Sequence, residues 1–173
     1  KKRTERRFGL AGIATDKIDS YIIPTNRSWI RDSGPIFVVS DGFQRRHVAI
    51  TDWQFNGWAR YRAWSLDNNL THHIAQTLQM DRFVVRNKTT RARTRVVLEG
   101  GSVDVNGQGL LLTTEQCLLG TKQIRNRGMT RADIESTLSQ HLGATDICWL
   151  QGGIAGDDTN GHVDDVARFI GPK

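Results

Sequence analysis

Apolar residues lie along this chain in short runs separated by glycine, proline, asparagine and aspartate, a pattern typical of β-strands joined by turns. Asp41-Gly42 and Asn106-Gly107 carry the strongest turn signals, and each is expected to close a β-hairpin. The runs predict strands at residues 21–24, 36–39, 48–50, 83–85, 102–105, 110–112 and 147–150.

Two segments have helical periodicity instead. In the first, four aliphatic residues spaced by four positions share one face of a helix predicted over residues 67–79: Leu66, Leu70, Ile74 and Leu78. The second helix is predicted to begin near Thr130, which forms a capping-box pattern with Asp133, and to end at Gly143. Its buried face is expected to consist of Ile134, Leu138 and Leu142.

The order of these elements is strand, hairpin partner, helix and strand, and this order occurs twice. Such a weak internal repeat of a ββαβ kind predicts a mixed α/β architecture built of similar units. An aromatic stretch precedes the first helix and is expected to lie mainly in the core: Trp53, Phe55, Trp58, Tyr61 and Trp64.

The chain has 173 residues, 38% of them hydrophobic and 24% charged, which is enough for a globular domain with a core. No apolar run approaches the length of a membrane span, and no apolar segment of a signal peptide follows the basic start. We therefore expect no membrane partner, a cytoplasmic location, and a loose terminal arm over residues 1–18. Cys117 and Cys148 lack metal-ligand spacing, and two thiols without a disulfide framework fit a reducing cytoplasm.

The basic residues that contribute to the net charge of +6 include two local clusters. No nucleic-acid-binding motif accompanies either cluster, so a solvated surface is favoured and no nucleic-acid partner is expected. One cluster is Lys1, Lys2, Arg3, Arg6 and Arg7, and the other is Lys88, Arg91, Arg93 and Arg95.

Three segments place acids or histidine beside glycines, which let the backbone turn tightly and let a ligand approach closely. Residues 26–35 contain Trp29 and Asp32, and residues 98–102 contain Glu99. The third segment, residues 156–165, carries Asp158, Asn160, His162 and Asp164. Each of the three segments is therefore a candidate for contact with a ligand.

Each of these residues has an ordinary structural interpretation when it is taken alone. Asp32 precedes Gly34-Pro35, where an aspartate commonly caps a turn, and Trp29 is more often a core residue. A single histidine such as His162 is more often structural than catalytic. A functional site is favoured only by the conjunction of all three segments in the order in which a known family carries them.

In this order, the segments resemble those of the agmatine deiminase and bacterial-type peptidylarginine deiminase family, within the guanidino-modifying superfamily. The resemblance runs from about Tyr21 to the C-terminus and extends to residues 53–58, 111–117 and 167–169. It implies a pentein α/β propeller, in which ββαβ units surround a pseudo-five-fold axis. The chain is then a single partial pentein domain over residues 1–173, roughly the first half of such a ring.

The resemblance also implies roles for the site residues. A guanidinium presents its donors in a planar fork, and the resemblance makes Asp32 and Asp164 the carboxylates that accept from it. It makes His162 the general acid and base and Glu99 the carboxylate that orients this histidine. It places Trp29, Asp158 and Asn160 in the substrate pocket, and it implies no cofactor and no metal.

The family's reaction needs a cysteine thiolate, and here the sequence departs from the family. The family's nucleophile lies in a late glycine-rich segment that has no counterpart before Lys173. Cys117 falls where members often carry a non-catalytic cysteine, and Cys148 lies in an apolar strand that favours a buried, inert thiol. Arg27 replaces a usual acid, and Asp158 replaces the glutamate common in agmatine-specific members.

We therefore expect a hydrolase that acts on agmatine, arginine or peptidylarginine and releases ammonia and a ureido product, with a nucleophile that is not in this chain. Agmatine as substrate would place it in putrescine biosynthesis. The alternative is a catalytically inactive, truncated module that binds guanidino compounds or a protein partner. Because a half ring exposes sheet edges and an apolar flank, we also expect self-association or a missing C-terminal half.

Overall fold

The computed structural model describes residues 2–40, 47–88 and 93–172. The predicted turn at Asp41-Gly42, the terminal Lys1 and the clustered Arg91 lie outside the described residues. The strands are β1 Ile36–Ser40, β2 His47–Asp52, β3 Arg82–Val84, β4 Asp104–Val105, β5 Leu110–Thr114 and β6 Asp146–Leu150. The α-helices are α1 Lys2–Leu10, α2 Ile30–Ser33, α3 Ser65–Asn68, α4 Leu70–Leu78, α5 Glu115–Leu118 and α6 Arg131–Leu142.

The strands form two three-stranded sheets of the same topology, in the orders β1-β2-β3 and β4-β5-β6. In each sheet the first two strands pair antiparallel and the third strand pairs parallel to the second. Helices α3 and α4 connect β2 to β3, and helices α5 and α6 connect β5 to β6. The mixed α/β architecture predicted from the sequence is confirmed.

Residues between the two sheets link them. Gln54, beyond β2, forms a parallel bridge with Val97, and Arg86, beyond β3, forms an antiparallel bridge with Arg95. The main apolar core lies beside this link and includes Trp53, Val85, Leu98, Leu111, Leu118, Ile134 and Leu138. Glu99 follows directly on this buried segment, so the core fixes the position of one of the candidate site residues.

The first helical segment differs from its prediction. It is divided into α3 and α4, and the side chain of Asn68 at the division accepts a hydrogen bond from the Phe55 backbone at 2.9 Å. Leu70 is buried, but Leu66 and Leu78 are exposed. Ile74 is half-buried. The spacing by four therefore predicts which side chains share one face of the helix, but most of these side chains line an open groove instead of the core.

The predicted strand at residues 21–24 is wrong. This segment forms no strand, and the side chains of Tyr21 and Ile22 are exposed. Pro24 has no backbone N–H to donate to a neighbouring strand, which works against strand pairing at that position. Tyr21 and Ile23 line the same groove as Leu70, Ile74 and Leu78.

The expected burial of Cys148 is also wrong, because this thiol is exposed whereas Cys117 is buried. Alternate side chains of a strand face opposite sides, and Cys148 points away from the side taken by its half-buried neighbours Ile147 and Trp149. Residues 2–10, for which no helix was predicted, form α1. No helix in the described ranges is both long and apolar enough to cross a membrane.

Helix α6 gives a direct test of how local sequence signals determine this fold. The Thr130 side chain accepts from the Asp133 backbone, the Asp133 side chain accepts from the Thr130 backbone, and Gly143 ends the helix at a φ of 69°. We expect Thr130→Ala to lower the free energy of unfolding by about 1 kcal/mol, since it leaves helix N–H groups unsatisfied. Urea denaturation measures this change. Ser139→Ala, at an exposed position inside α6, serves as the control and should be neutral or slightly stabilising.

Candidate functional site

The candidate site is centred on the buried imidazole of His162, which faces three carboxylates. Its Nδ1 lies 3.6 Å from Oδ1 of Asp32 and 3.9 Å from Oδ1 of Asp164. Its Nε2 lies 3.7 Å from Oε2 of Glu99. The structure therefore brings together four of the residues predicted from the sequence, and they come from three separate segments of the chain.

The loop that carries His162 is shaped by Asp157. The carboxylate of Asp157 accepts from the backbone N–H groups of Thr159 at 2.7 Å, Gly161 at 2.8 Å and His162 at 3.3 Å. Burial acts to raise the pKa of Asp157, but these hydrogen bonds, with that of the Thr159 hydroxyl, outweigh burial and lower it. Gly161 has a φ of 102°, which a residue with a side chain rarely adopts. The loop therefore delivers His162 in one defined orientation.

Asp32 reaches the site from the short helix α2. Its Oδ1 accepts from the backbone N–H of Gly101 and its Oδ2 accepts from Nε1 of Trp58, both at 3.0 Å. A Cβ at Gly101 would lie 2.5 Å from Nδ1 of His162 and 2.7 Å from Oδ1 of Asp32, so only glycine fits there. Burial raises the pKa of Asp32, and it outweighs the lowering effects of His162 and of the Trp58 hydrogen bond.

Glu99 is fully buried, and Arg125 is its cationic partner. Nε of Arg125 lies 3.2 Å from Oε1 of Glu99, and both side chains are 0% exposed. Arg125 also donates to the backbone carbonyls of Gln123 and Thr159, so it ties Glu99 to the loop that carries His162. Burial would raise the pKa of Glu99, but the close approach of the His162 imidazole and the charge of Arg125 lower it. Glu99 therefore stays ionised.

Arg125 was not identified from the sequence, because a single arginine in a loop carries no local signal. An indirect signal was present, since a buried carboxylate needs a cation or several hydrogen-bond donors close to it.

The charge state of His162 follows from its neighbours. Burial lowers the pKa of His162, but the close approach of Glu99 to Nε2 and the negative charges of Asp32 and Glu99 outweigh burial and the charge of Arg125, so the pKa is raised above 6.5. Because the pKa of His162 is higher in the folded chain, its protonation stabilises the fold. This stabilisation is complete below about pH 6.5, the ordinary pKa, and is lost as pH rises through the folded pKa. An imidazole that can be cationic at neutral pH is able to donate a proton and later to accept one.

Asp164 is less buried than Asp32 and has cations on its outer side. Its Oδ2 lies 3.4 Å from Nε of Arg31 and 3.7 Å from Nη1 of Arg168, while its Oδ1 faces His162. The carboxylate is 19% exposed, so a ligand can reach it from the cavity. A cationic ligand there would compete with Arg31.

A cavity of about 500 Å³ opens from His162 to the surface. Trp29 lies in its wall and is 62% exposed, so the interpretation of Trp29 as a core residue is wrong. Asp158 also lines the cavity, and its oxygens accept from Arg60 at 2.6 Å and from the Tyr61 hydroxyl at 3.1 Å. Among the described residues, those that line the cavity do not include Asn160, whose side-chain amide pairs with Gln116.

Glu99, Cys117 and His162 are the described residues that could hold a metal ion, since their ligand atoms lie within 4.8 Å of one another. The Arg125 guanidinium beside Glu99 repels a second cation at that point. Burial raises the pKa of the Cys117 thiol far above its ordinary value, and the negative charge of Glu99 raises it further. The arrangement therefore favours a neutral thiol and does not favour a metal centre.

Comparison with known proteins identifies a clear set of relatives. The family model of Porphyromonas-type peptidyl-arginine deiminases matches residues 2–173. A Lactococcus lactis protein, provisionally named an agmatine deiminase, is 41% identical over 155 residues, which are 87% of this chain and 39% of that protein. The agmatine deiminase of Pseudomonas syringae pv. tomato is 38% identical over 86% of this chain and 38% of its own length.

Comparison with solved structures also finds agmatine deiminases. The agmatine deiminase of Enterococcus faecalis superposes with a TM-score of 0.79 at 35% identity, over 97% of this chain and 44% of that protein. The chain thus spans about two fifths of the length of these relatives.

The electrostatics of the site predict the titration of His162. In NMR spectra of the chain, the His162 imidazole should titrate above its ordinary midpoint near 6.5. Glu99→Gln should lower that midpoint, because it removes the largest interaction that raises the pKa. A His162 midpoint that is the same in both proteins would contradict the assigned pairing.

Proposed function

The chain belongs to the Porphyromonas-type peptidyl-arginine deiminase family, and we propose that it forms the guanidinium-binding part of a hydrolase that deiminates guanidino compounds. The observation that carries this proposal is the buried His162, with Asp32 and Asp164 on one side of its ring and Glu99 on the other. Since the chain spans about two fifths of its relatives, the activity of the whole protein is part of the proposal.

The proposed ligand contact is a paired interaction between the guanidinium and two carboxylates. A guanidinium stays protonated near neutral pH and presents its donors in one plane, so a selective site needs acceptors that face it together. Asp32 and Asp164 both lie within 4 Å of Nδ1 of His162, which supports a shared ligand position beside that atom. Trp29 would flank the ligand from the cavity wall, Asp158 would lie in the same lining, and Asn160 would be a neighbour outside that lining.

His162 is the proposed acid and base, with Glu99 as the residue that keeps it charged. As a thiolate forms a bond to the guanidinium carbon, the C–N bond breaks and ammonia leaves with a proton from His162. Water then attacks the same carbon and gives one proton to His162. The sulfur–carbon bond breaks with the sulfur leaving as the thiolate, and the remaining hydroxyl proton passes to solvent, which leaves the neutral ureido product.

The nucleophile is proposed to come from outside residues 1–173. Cys117 is buried and its raised pKa keeps it a neutral thiol, which is not nucleophilic. Cys148 lies on β6, and it is not among the described residues that line the cavity. Neither cysteine therefore suits the attack on a ligand held by Asp32 and Asp164.

The proposed complete fold is a pentein propeller, of which these residues would be a single partial domain. The shared topology of the two sheets supports this interpretation. The open groove between residues 21–30 and α4 supports a covering partner, either a second copy of the chain or a C-terminal half.

A second function is also consistent with the site: an inactive module that binds guanidino compounds without converting them. The buried, neutral thiol of Cys117 is the observation that favours this alternative. Both functions require binding of the same ligand. They differ in whether the ligand is converted to product once a nucleophile is supplied to the chain.

The deiminase proposal predicts the outcome of a product assay with agmatine and arginine. The chain alone should form no ureido product, and addition of a C-terminal segment of a relative that carries the cysteine nucleophile should restore turnover. His162→Asn in the restored mixture should reduce the rate by at least about 100-fold, since the proton transfers lose their acid and base. His47→Asn, at an exposed position on β2, is the matched control.

Turnover by the chain alone would contradict the claim that the nucleophile is missing. Binding of the ligand without turnover in the restored mixture would instead support the inactive module.

A further inference from the structure

The wall of the cavity includes the ring of Tyr61, which two arginine side chains flank. The guanidinium carbon of Arg27 lies 4.5 Å from the centroid of Tyr61, and that of Arg60 lies 5.3 Å from it. Arg27 and Tyr61 line the cavity together with Trp29 and Asp158. We call this wall the cavity mouth and define it by Arg27, Arg60, Tyr61 and Asp158.

Arg27 is held at the mouth by contacts along its length. Its backbone N–H donates to Oδ1 of the buried Asp67 at 3.0 Å, and its Nε donates to the carbonyl of Ala63 at 3.3 Å. No carboxylate among the described residues lies within ion-pair distance of its guanidinium. Arg27 is thus a positioned cation whose charge is not neutralised at the mouth.

Asp158 is the acid at the mouth, and each of its oxygens already accepts one hydrogen bond. Arg60 donates to Oδ1 at 2.6 Å, and the Tyr61 hydroxyl donates to Oδ2 at 3.1 Å. The turn before these two residues has left-handed backbone at three consecutive positions, since Gly57, Trp58 and Ala59 have φ values of 68°, 58° and 53°. Left-handed backbone at residues other than glycine is costly and is maintained only where the surrounding contacts require it.

The other carboxylates of the cavity belong to the His162 end. Asp32 lies on α2 against His162, and Asp164 and Asp165 lie on the 3-10 turn that follows it. Negative charge is therefore concentrated where the guanidinium is proposed to bind, and the mouth retains one uncompensated positive charge on Arg27.

We infer that this site takes guanidino compounds whose other end is a carboxylate, in preference to those that end in an ammonium. This inference rests on the proposed guanidinium site and adds the chemistry of the ligand's far end. A carboxylate at the mouth accepts charge-assisted hydrogen bonds from Arg27, and the planar guanidinium permits a bidentate pair. An ammonium at the same place meets Arg27 as a like charge and finds Asp158 already paired.

Calorimetry with three ligands tests this inference, because they share a guanidine and differ only at the far end. Each carries the guanidine on a four-carbon chain, which bears a carboxylate at its end in guanidinopentanoate, a hydrogen in butylguanidine and an ammonium in agmatine. We expect guanidinopentanoate to bind about tenfold more tightly than butylguanidine, as one added charge-assisted hydrogen bond predicts. Agmatine should bind more weakly than butylguanidine.

Substitutions at the mouth test which residue determines the preference for a carboxylate. Arg27→Gln should bring the affinity of guanidinopentanoate down to that of butylguanidine, and Arg27→Glu should make agmatine the tightest ligand. Arg60→Gln releases Asp158 and should strengthen agmatine binding while Arg27 is intact. Arg127→Gln, at an exposed arginine that does not line the cavity, is the matched control and should leave the order of the three ligands unchanged.

Two results would overturn the inference in distinguishable ways. If all three ligands bind and agmatine is the tightest in the unaltered chain, the guanidinium site stands and the preference for a carboxylate is wrong. If none of them binds, butylguanidine included, the proposed guanidinium site itself fails and the inference fails with it.

Discussion

A fully buried carboxylate, Glu99, is the constraint around which both the core and the site are arranged. An ionised carboxylate without water is very unfavourable unless cations and donors surround it. Arg125 supplies one partner and the imidazole of His162 supplies the other. Because Arg125 also holds the carbonyls of Gln123 and Thr159, one ion pair joins the core segment before Glu99 to the loop that carries His162.

The same cluster links stability to chemistry. Arg125 keeps Glu99 ionised, and Glu99 keeps the pKa of His162 raised, so the imidazole is available as a proton donor near neutral pH. The close packing of Gly101 against His162 and Asp32 leaves no room for a side chain and little room for the ring to move. A ligand that enters the cavity therefore meets acceptors that are already in position, which reduces the cost of binding.

The sequence predicted those parts of the structure whose signals are local. Helix α6 begins and ends where Thr130, Asp133 and Gly143 indicate, because caps act on their own turn of helix. The grouping of Asp32, Glu99, His162 and Asp164 came from the resemblance, since no spacing within one segment brings three separate segments together. Features that depend on tertiary contacts were missed: the partner Arg125, the exposure of Trp29 and Cys148, and the open face of α4. Periodicity shows which residues share a face but not what covers that face.

The central claim is that Glu99 and Arg125 stabilise the chain as a pair, and a double-mutant cycle of unfolding free energies measures it most directly. Arg125→Met alone should destabilise the chain by about 3–5 kcal/mol, because it leaves a buried charge without its partner. Combining it with Glu99→Gln should recover at least about 2 kcal/mol of that loss, since the unpaired charge is removed as well. Additive effects of the two substitutions would contradict the account.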